Sequence, residues 1–286
     1  MANTFPFFDH GVEAAIRNRH SFRRYETREL PPETLQKLSA KIAAIKAPPF
    51  GGRPRCVLVD TGRQGAGRVA GTYGMIQGAR YFLVGAVIPQ ELDMEAFGYY
   101  FEQAVLLCTD QDLATCWIGA TVRRGAFAQR AGVGADEAVP AISPLGVATK
   151  RRSLTDIVAR VSVSSSDRKP FSHLFFNEDM SRPLTPESAG EYAFCLEMVR
   201  LAPSATNRQP WRVVSDGMGF HFFLKRTPGY KSLPGAPDMQ RIDMGIALCH
   251  FELAASEKGL AGKYTRKLPH ELPHHNGMEY VATWLA

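Results

Sequence analysis

The chain has no closely spaced cysteines. Its five, Cys56, Cys108, Cys116, Cys195 and Cys249, are odd in number, widely spaced and form no CxxC pair. That excludes a disulfide framework and a zinc knuckle as organising devices. Long apolar runs are absent as well. The longest, Tyr81–Val87 with Ile88 after it, is of strand length and far short of the ~20 residues a spanning helix needs. Met1 to Gly11 shows no basic region ahead of a hydrophobic core, so no secretory signal is read and a reducing cytoplasm is the expected compartment. Charge of one sign is only in mild excess, 34 Lys and Arg against 28 Asp and Glu, for a net +6. The one dense basic run is Lys150-Arg151-Arg152, with no basic face interleaved with aromatics, which argues against a nucleic-acid-binding module and leaves a small anionic ligand. No G-x-G-x-x-G opens a βαβ unit and no G-x-x-x-x-G-K-[ST] occurs, so a Rossmann site and a P-loop are not expected.

What is present is ordinary globular composition. Of 286 residues, 45% are hydrophobic and 10% aromatic, enough to bury one large core or two moderate ones and too much for a disordered chain. A first helix is expected from Gly11 towards Arg19 with Asp9 as its N-cap. Leu30-Pro31-Pro32-Glu33 opens a second, with Leu35, Leu38, Ile42 and Ile45 on one face, and Pro48-Pro49 ends it. Strands are expected over Arg55–Asp60 and Tyr81–Val87, a long helix over Phe97–Leu113, and short helices over Phe127–Ala131 and Ser153–Arg160. Val161–Pro170 is the most linker-like stretch. Beyond it, Leu184-Thr185-Pro186-Glu187 opens a helix to about Leu201. Trp211–Ser215 and Phe220–Lys225 flank the hairpin signal Asp216-Gly217. A helix over Arg241–Gly259 and a strand over Met278–Leu285 finish the chain.

The order of elements repeats. Leu30-Pro31-Pro32-Glu33 matches Leu184-Thr185-Pro186-Glu187 at an offset of 154, and Pro54–Asp60 matches Pro210–Asp216 at 156. Later, Phe97-Gly98 matches Met244-Gly245 and Asp112-Leu113-Ala114 matches Gly259-Leu260-Ala261, both at 147. The expected architecture is a duplicated α+β unit: residues 1–160, a linker at 161–180, and residues 181–286, packed so that one chain mimics a dimer.

Four segments have the chemistry of a ligand site. Arg19-His20-Ser21-Phe22-Arg23 sets two guanidiniums, an imidazole and a hydroxyl within five residues, a donor set for a phosphate; alone it is equally a charged helix end in water. Lys150, Arg151 and Arg152 follow Pro144-Leu145-Gly146 and can complete such a shell. Pro203-Ser204-Ala205-Thr206-Asn207-Arg208-Gln209-Pro210-Trp211 places a serine and two carboxamides between prolines, suited to the heteroatoms of a planar ring. Thr115-Cys116-Trp117-Ile118-Gly119 ends in a glycine that permits close backbone approach. His270, His274 and His275 flank prolines without companions at ligand spacing, so no metal site is expected.

Together these segments resemble the FMN-dependent nitroreductase family: its amino-terminal phosphate motif in Arg19–Arg23, its late phosphate-binding stretch in Lys150–Arg152, its flavin-ring segment in Leu113–Gly119 and its proline-serine-asparagine-glutamine-proline-tryptophan loop in Pro203–Trp211. The resemblance implies an α+β nitroreductase-like fold, with mixed, mostly antiparallel sheets flanked by helices. It also implies FMN as cofactor, NADH or NADPH as co-substrate, and a small aromatic or quinone-like acceptor, with neither nucleic acid nor membrane as partner. Ordinary members are shorter chains that dimerise. Here the loop Ala47–Pro54 lacks the Ser, Asn and Gln of its counterpart, and Gly262-Lys263-Tyr264 lacks the Cys-Trp pair. The resemblance therefore implies a single-chain pseudodimer with one complete FMN site, able to work as a monomer. The implied cofactor-binding set is Arg19, His20, Ser21, Arg23, Thr115–Gly119, Lys150, Arg151, Arg152, Pro203, Ser204, Ala205, Asn207 and Gln209. No catalytic side chain is implied; backbone near Ile118 and Gly119 would tune flavin N5. A non-catalytic flavin binder, or another flavin chemistry on the same scaffold, is the alternative.

Overall fold

The computed structural model describes residues 8–62, 67, 69, 71–72, 74–119, 124–149, 167–178, 180, 182–230, 236–267 and 277–286. In chain order its helices are α1 (Val12–Asn18), α2 (Pro32–Ala43), α3 (Asp93–Asp110), α4 (Arg124–Arg130), α5 (Pro186–Ala189), α6 (Ala193–Leu201) and α7 (Met239–Glu257). The strands are β1 (Arg55–Asp60), β2 (Tyr81–Ala86), β3 (Ala114–Thr115), β4 (Ile142–Gly146), β5 (Phe175–Asn177), β6 (Arg182–Pro183), β7 (Trp211–Ser215), β8 (Gly219–Leu224), β9 (Lys263–Thr265) and β10 (Glu279–Leu285). The helix expected over Ser153–Arg160 lies outside the described residues.

Two sheets carry the duplication. The first runs β1-β2-β4-β3, all antiparallel. The second runs β6-β5-β7-β8-β10-β9, so its last four strands repeat that order and those antiparallel pairings. The additions are β6 and β5, the latter parallel to β7. Residues 161–180, read from sequence as a linker, thus contribute a strand within their described part. Alternation of apolar side chains on so short a strand gives no usable period.

The two units meet through α3 and α7, which make the most extensive inter-element contact. Almost every residue of both helices is buried. Two glycines allow the backbones to touch. A Cβ on Gly98 would lie 2.1 Å from the carbonyl oxygen of Ile242, and a Cβ on Gly245 would lie 2.0 Å from that of Glu95. Both pairs are related by the sequence offset of 147, so the crossing is self-complementary, as in the two-fold contact of a homodimer. The same offset relates the helix ends. After α3, Asp112 N–H bonds Thr109 O and Leu113 N–H bonds Cys108 O; after α7, Gly259 bonds Ser256 and Leu260 bonds Ala255 in the same way. Each is a Schellman cap, with Asp112 at φ 57° where its counterpart Gly259 has φ 70°. One continuous apolar core runs through both units, and a smaller cluster lies under α4.

Several boundaries differ from the sequence reading. Asp9 does not cap α1. Its carboxylate is held by Lys37 (2.7 Å) and Lys41 (2.9 Å), while Glu257 from the end of α7 accepts the amides of Val12 (2.5 Å) and Glu13 (3.0 Å). The helix expected from Pro186 to Leu201 is broken at Gly190 (φ 57°) into α5 and α6, joined by a 3-10 turn. Strand β4 is not among the elements expected from sequence, and it contains Pro144, which lacks a ladder donor. Its effect is local: Cys116, opposite Pro144, gives its N–H to the Ser143 hydroxyl at 3.1 Å, and pairing resumes only where Ile118 and Ile142 exchange bonds.

Candidate functional site

That interruption frees the chain between Thr115 and Ile118 to line a cavity of about 310 Å³ between the two units. The first unit supplies Arg19, Ser21, Arg23, Met75, Cys116, Trp117, Ile118 and Gly119. The second supplies Pro203, Ser204, Ala205, Thr206, Asn207, Tyr230 and the α7 residues Met239, Ile242, Asp243 and Ile246, with Arg168 from the stretch between.

The chain leaves α1 extended: Arg19 has φ −65° and ψ 112°, and Ser21 forms a parallel bridge with Thr115. Side chains of an extended segment alternate, so Arg19, Ser21 and Arg23 face the cavity while His20 and Phe22 face away and meet edge to face. His20 is exposed, with its Nδ1 2.8 Å from Asn18 O; alternation is the reason it does not join the site. Thr115 is also outside the lining, its carbonyl accepting the Phe22 amide at 2.9 Å.

Arg19 is 8% exposed, and its Nε has no partner among the described residues. Burial pulls its pKa down, and the negative charge of Glu102 acts in the opposite sense. Arg168 donates to Leu201 O through Nε (3.3 Å) and Nη2 (3.2 Å), and to Asn207 Oδ1 through Nη1 (3.1 Å). Burial, with the charges of Arg19 and Arg200, brings its pKa down to about 10. Among the described residues, three guanidiniums therefore share one cavity with a single acidic residue, Asp243. Burial raises the Asp243 pKa well above the usual carboxylate range. Such a cavity favours an anion.

Trp117 is aimed by a buried array. Its Nε1 donates to Glu102 Oε2 at 2.7 Å, Glu102 Oε1 lies 3.0 Å from His250 Nε2, and His250 Nδ1 lies 2.9 Å from Met198 O. A carbonyl only accepts, so Nδ1 carries the proton. The ring edge of Trp117 meets Phe101 at 4.8 Å. Behind it, a Cβ on Gly119 would come within 2.4 Å of the Met239 side chain, so the segment lies directly against α7. The Ile118 amide is committed to Ile142 O at 2.9 Å, so it is not itself a donor to the cavity. Cys116 is buried, and burial raises its thiol pKa, so it lines the cavity as a neutral group.

The loop after Pro203 is strained: Thr206, Asn207 and Gln209 have φ of 48°, 56° and 49°, an arrangement that side chains must hold in place. Ser204 Oγ accepts the Gln209 amide at 2.9 Å, and Asn207 Nδ2 donates to Asp167 O at 2.6 Å. Gln209 is buried and does not line the cavity. Its Oε1 accepts the Lys169 amide at 2.8 Å, and its Nε2 donates to Asn207 Oδ1 at 3.1 Å. It serves as the loop's internal brace. Lys150, Arg151 and Arg152, and the loop with His270, His274 and His275, lie outside the described residues.

The α7 stripe was not singled out from sequence. Its signal was there, since residues 239, 242, 243 and 246 share a helical face, and an aspartate interrupts an otherwise apolar one. Arg168 had no such signal, being one cation in a serine-rich stretch.

The family described as "Putative TM nitroreductase" matches residues 12–255, and the chain belongs to it. A solved Thermotoga maritima structure, described as a "putative nitroreductase", is 20% identical and superimposes with a TM-score of 0.59, covering 96% of this chain and 93% of that one. That shared architecture identifies the fold as nitroreductase-like. A nitroreductase with bound FMN from Desulfitobacterium hafniense is 21% identical, covers 49% of this chain and 90% of its own, and has a TM-score of 0.40. No curated protein matches the sequence. Among the described residues, no helix is long and apolar enough to cross a membrane.

Proposed function

We propose that the chain is an FMN-dependent NAD(P)H oxidoreductase in which residues 1–160 and 181–286, joined by 161–180, furnish one flavin site. The observation behind this reading is that residues of both units line the same cavity, with the phosphate-type donors on one side and the asparagine loop on the other. The residues fit the cofactor. Arg19 offers a buried Nε without a partner among the described residues, Ser21 and Arg23 add donors, and Met239, Ile242 and Ile246 of α7 add apolar lining for a flat ring. The volume lies at the lower end of the ~300–1,000 Å³ usual for small-molecule sites.

Bound FMN would supply hydride transfer, from NADH or NADPH to a small nitroaromatic or quinone-like acceptor, the two taking turns at one face. The protein's part is placement. Arg19, Arg23 and Arg168 would neutralise the phosphate and the electron-rich edge of the ring, Ser21 would donate a hydrogen bond, and Lys150, Arg151 or Arg152 would complete the shell. Ser204 and Asn207 would meet the ring or ribityl chain, and the Gly119 amide would point to N5. Trp117, held by Glu102, would exclude water from one side.

Titration with FMN tests the reading, since bound flavin loses fluorescence or shifts its absorption. Arg19→Ala and Asn207→Ala, in opposite units, should each weaken binding about tenfold or more, the scale of a lost charge-assisted or buried hydrogen bond. Arg53→Ala, at an exposed position, should leave it unchanged. Unaltered affinity in both cavity variants would rule out the shared site. NADH or NADPH should then bleach the bound flavin, and an acceptor should restore its colour.

A further inference from the structure

Asp243 stands out on the α7 face of the cavity. It is 1% exposed, and its neighbours along the stripe, Met239, Ile242 and Ile246, are apolar. Oδ1 accepts the Ala205 amide at 2.9 Å. Oδ2 is buried and has no partner among the described residues. No cation pairs with it there: the nearby Arg241 is spent on Glu95, Asp238 and Glu279. A buried carboxylate in that position would be costly unless it took up a proton. Desolvation raises its pKa strongly, the Ala205 amide opposes this, and the negative charge of Asp238 adds to it. Because Oδ1 already accepts a hydrogen bond, the proton belongs on Oδ2, which makes that atom a donor in search of an acceptor.

The internal duplication supplies a comparison within the same molecule. At the offset of 147 the counterpart of Asp243 is Ala96. There the matching loop closes down, and a Cβ on Gly52 would lie 2.8 Å from the Ala96 Cβ. The helix crossing and the C-terminal helix caps recur in the two units, whereas the acid occurs only in the unit whose loop borders the cavity. The fold therefore does not require it.

We propose that Asp243 is a ligand-binding residue: a neutral carboxyl whose Oδ2–H donates a hydrogen bond to an acceptor heteroatom of the flavin ring. The proposal rests on the flavin reading above. It gives the cavity a donor opposite in kind to its guanidiniums, one that adds no charge and so favours a carbonyl oxygen or an unprotonated ring nitrogen over a cationic or donor-bearing ligand.

Infrared difference spectroscopy on the full chain, with and without FMN, tests this together with FMN titration. The wild-type chain should show the C=O stretching band of a protonated carboxyl, absent from Asp243→Asn, and the band should move when FMN is added. Asp243→Ala should weaken FMN binding about tenfold. Asp243→Asn, which keeps an acceptor for Ala205 and offers an N–H to the ligand, should stay within about threefold of wild type. A carboxyl that only anchors Ala205 would leave the band unmoved. FMN binding with an unmoved band, or no band at all, would overturn the proposal while leaving the flavin reading intact. Failure of the wild-type chain to bind FMN would overturn both.

Discussion

At the residue scale, the site depends on side chains that work against their surroundings. Arg19 is buried without a full set of partners among the described residues, and Asn207 sits at positive φ, held by Arg168 and the Asp167 carbonyl. Arg19 loses some stability by keeping a polar atom for the cavity, and Asn207 by holding the loop in a strained turn. Gln209 illustrates a different role, since it braces the loop from behind. Gln209→Ala should destabilise the fold by about 1–3 kcal/mol, the cost of leaving the part-buried Lys169 amide without its acceptor, and should weaken FMN binding only through loop disorder. Chemical denaturation of the chain without FMN would show the loss. Elsewhere, Glu137 accepts two hydrogen bonds from Arg55 at 2.6 Å each, and that pairing holds its pKa down at about 2 from an ordinary 4.5. A lowered folded-state pKa stabilises at pH above the unfolded value and ceases to as pH falls through the folded one. Glu137→Gln should therefore cost about 1 kcal/mol at neutral pH, and the difference should vanish between roughly pH 4.5 and 2, read as unfolding midpoints across that range.

At the element scale, the most exacting contact is the crossing of α3 and α7. Alanine is a better helix former than glycine by about 1 kcal/mol. Gly98→Ala and Gly245→Ala should nevertheless each destabilise by at least 2 kcal/mol, because the added Cβ meets backbone at about 2 Å and the helices must part. Equal effects at the two positions would reflect the internal two-fold relation. The caps give the converse case: Asp112→Gly should stabilise by up to about 1 kcal/mol, because Asp112 is exposed and held at φ 57°, where glycine is unstrained. Thermal unfolding measures all three.

Much of this level was legible in the sequence. The strands Arg55–Asp60 and Trp211–Ser215, the prolines opening α2 and α5, and the matching of Gly98 with Gly245 all express local rules of turn, cap and period. Elements that depend on distant partners were not legible. β5 is three residues in a stretch that reads as a linker, and it exists because β7 offers a free edge. β4 contains a proline that local propensity forbids. The Asp9 cap failed because a lysine pair from α2 outcompeted the helix for its carboxylate, while Glu257, far away in sequence, took over the task. In the site, the alternation that turns His20 away from Arg19 and Ser21 becomes evident only once the segment is known to be extended rather than helical.

At the scale of the whole molecule, two α+β units of like topology share one core, and the loops at their junction have diverged. On one side Trp117 and Gly119 face Ser204, Asn207 and Asp243. On the other, a shallow depression is lined by Phe50, Gln90, Glu91, Leu92 and Arg266. Leu92 and Arg266 occupy positions equivalent to Met239 and Gly119, so the depression marks the pseudo-symmetric location. Arg266, where Gly119 stands in the other unit, forms an ion pair with Glu91 at 3.1 Å. Among the described residues, no phosphate-type cluster lines it, and its one carboxamide, Gln90, stands without the serine and asparagine of the other side. On the proposed reading, duplication followed by loss at one location leaves the longer chain with one complete site.

The most direct test of the account is the flavin content of the purified chain after saturation with FMN and removal of excess by gel filtration, with FMN counted by absorption against protein concentration. One FMN per chain, lost on changing either Arg19 or Asn207, is the expected result. Two FMN per chain would contradict the assignment of a single complete site, and none retained, with no binding by titration, would contradict the flavin reading itself.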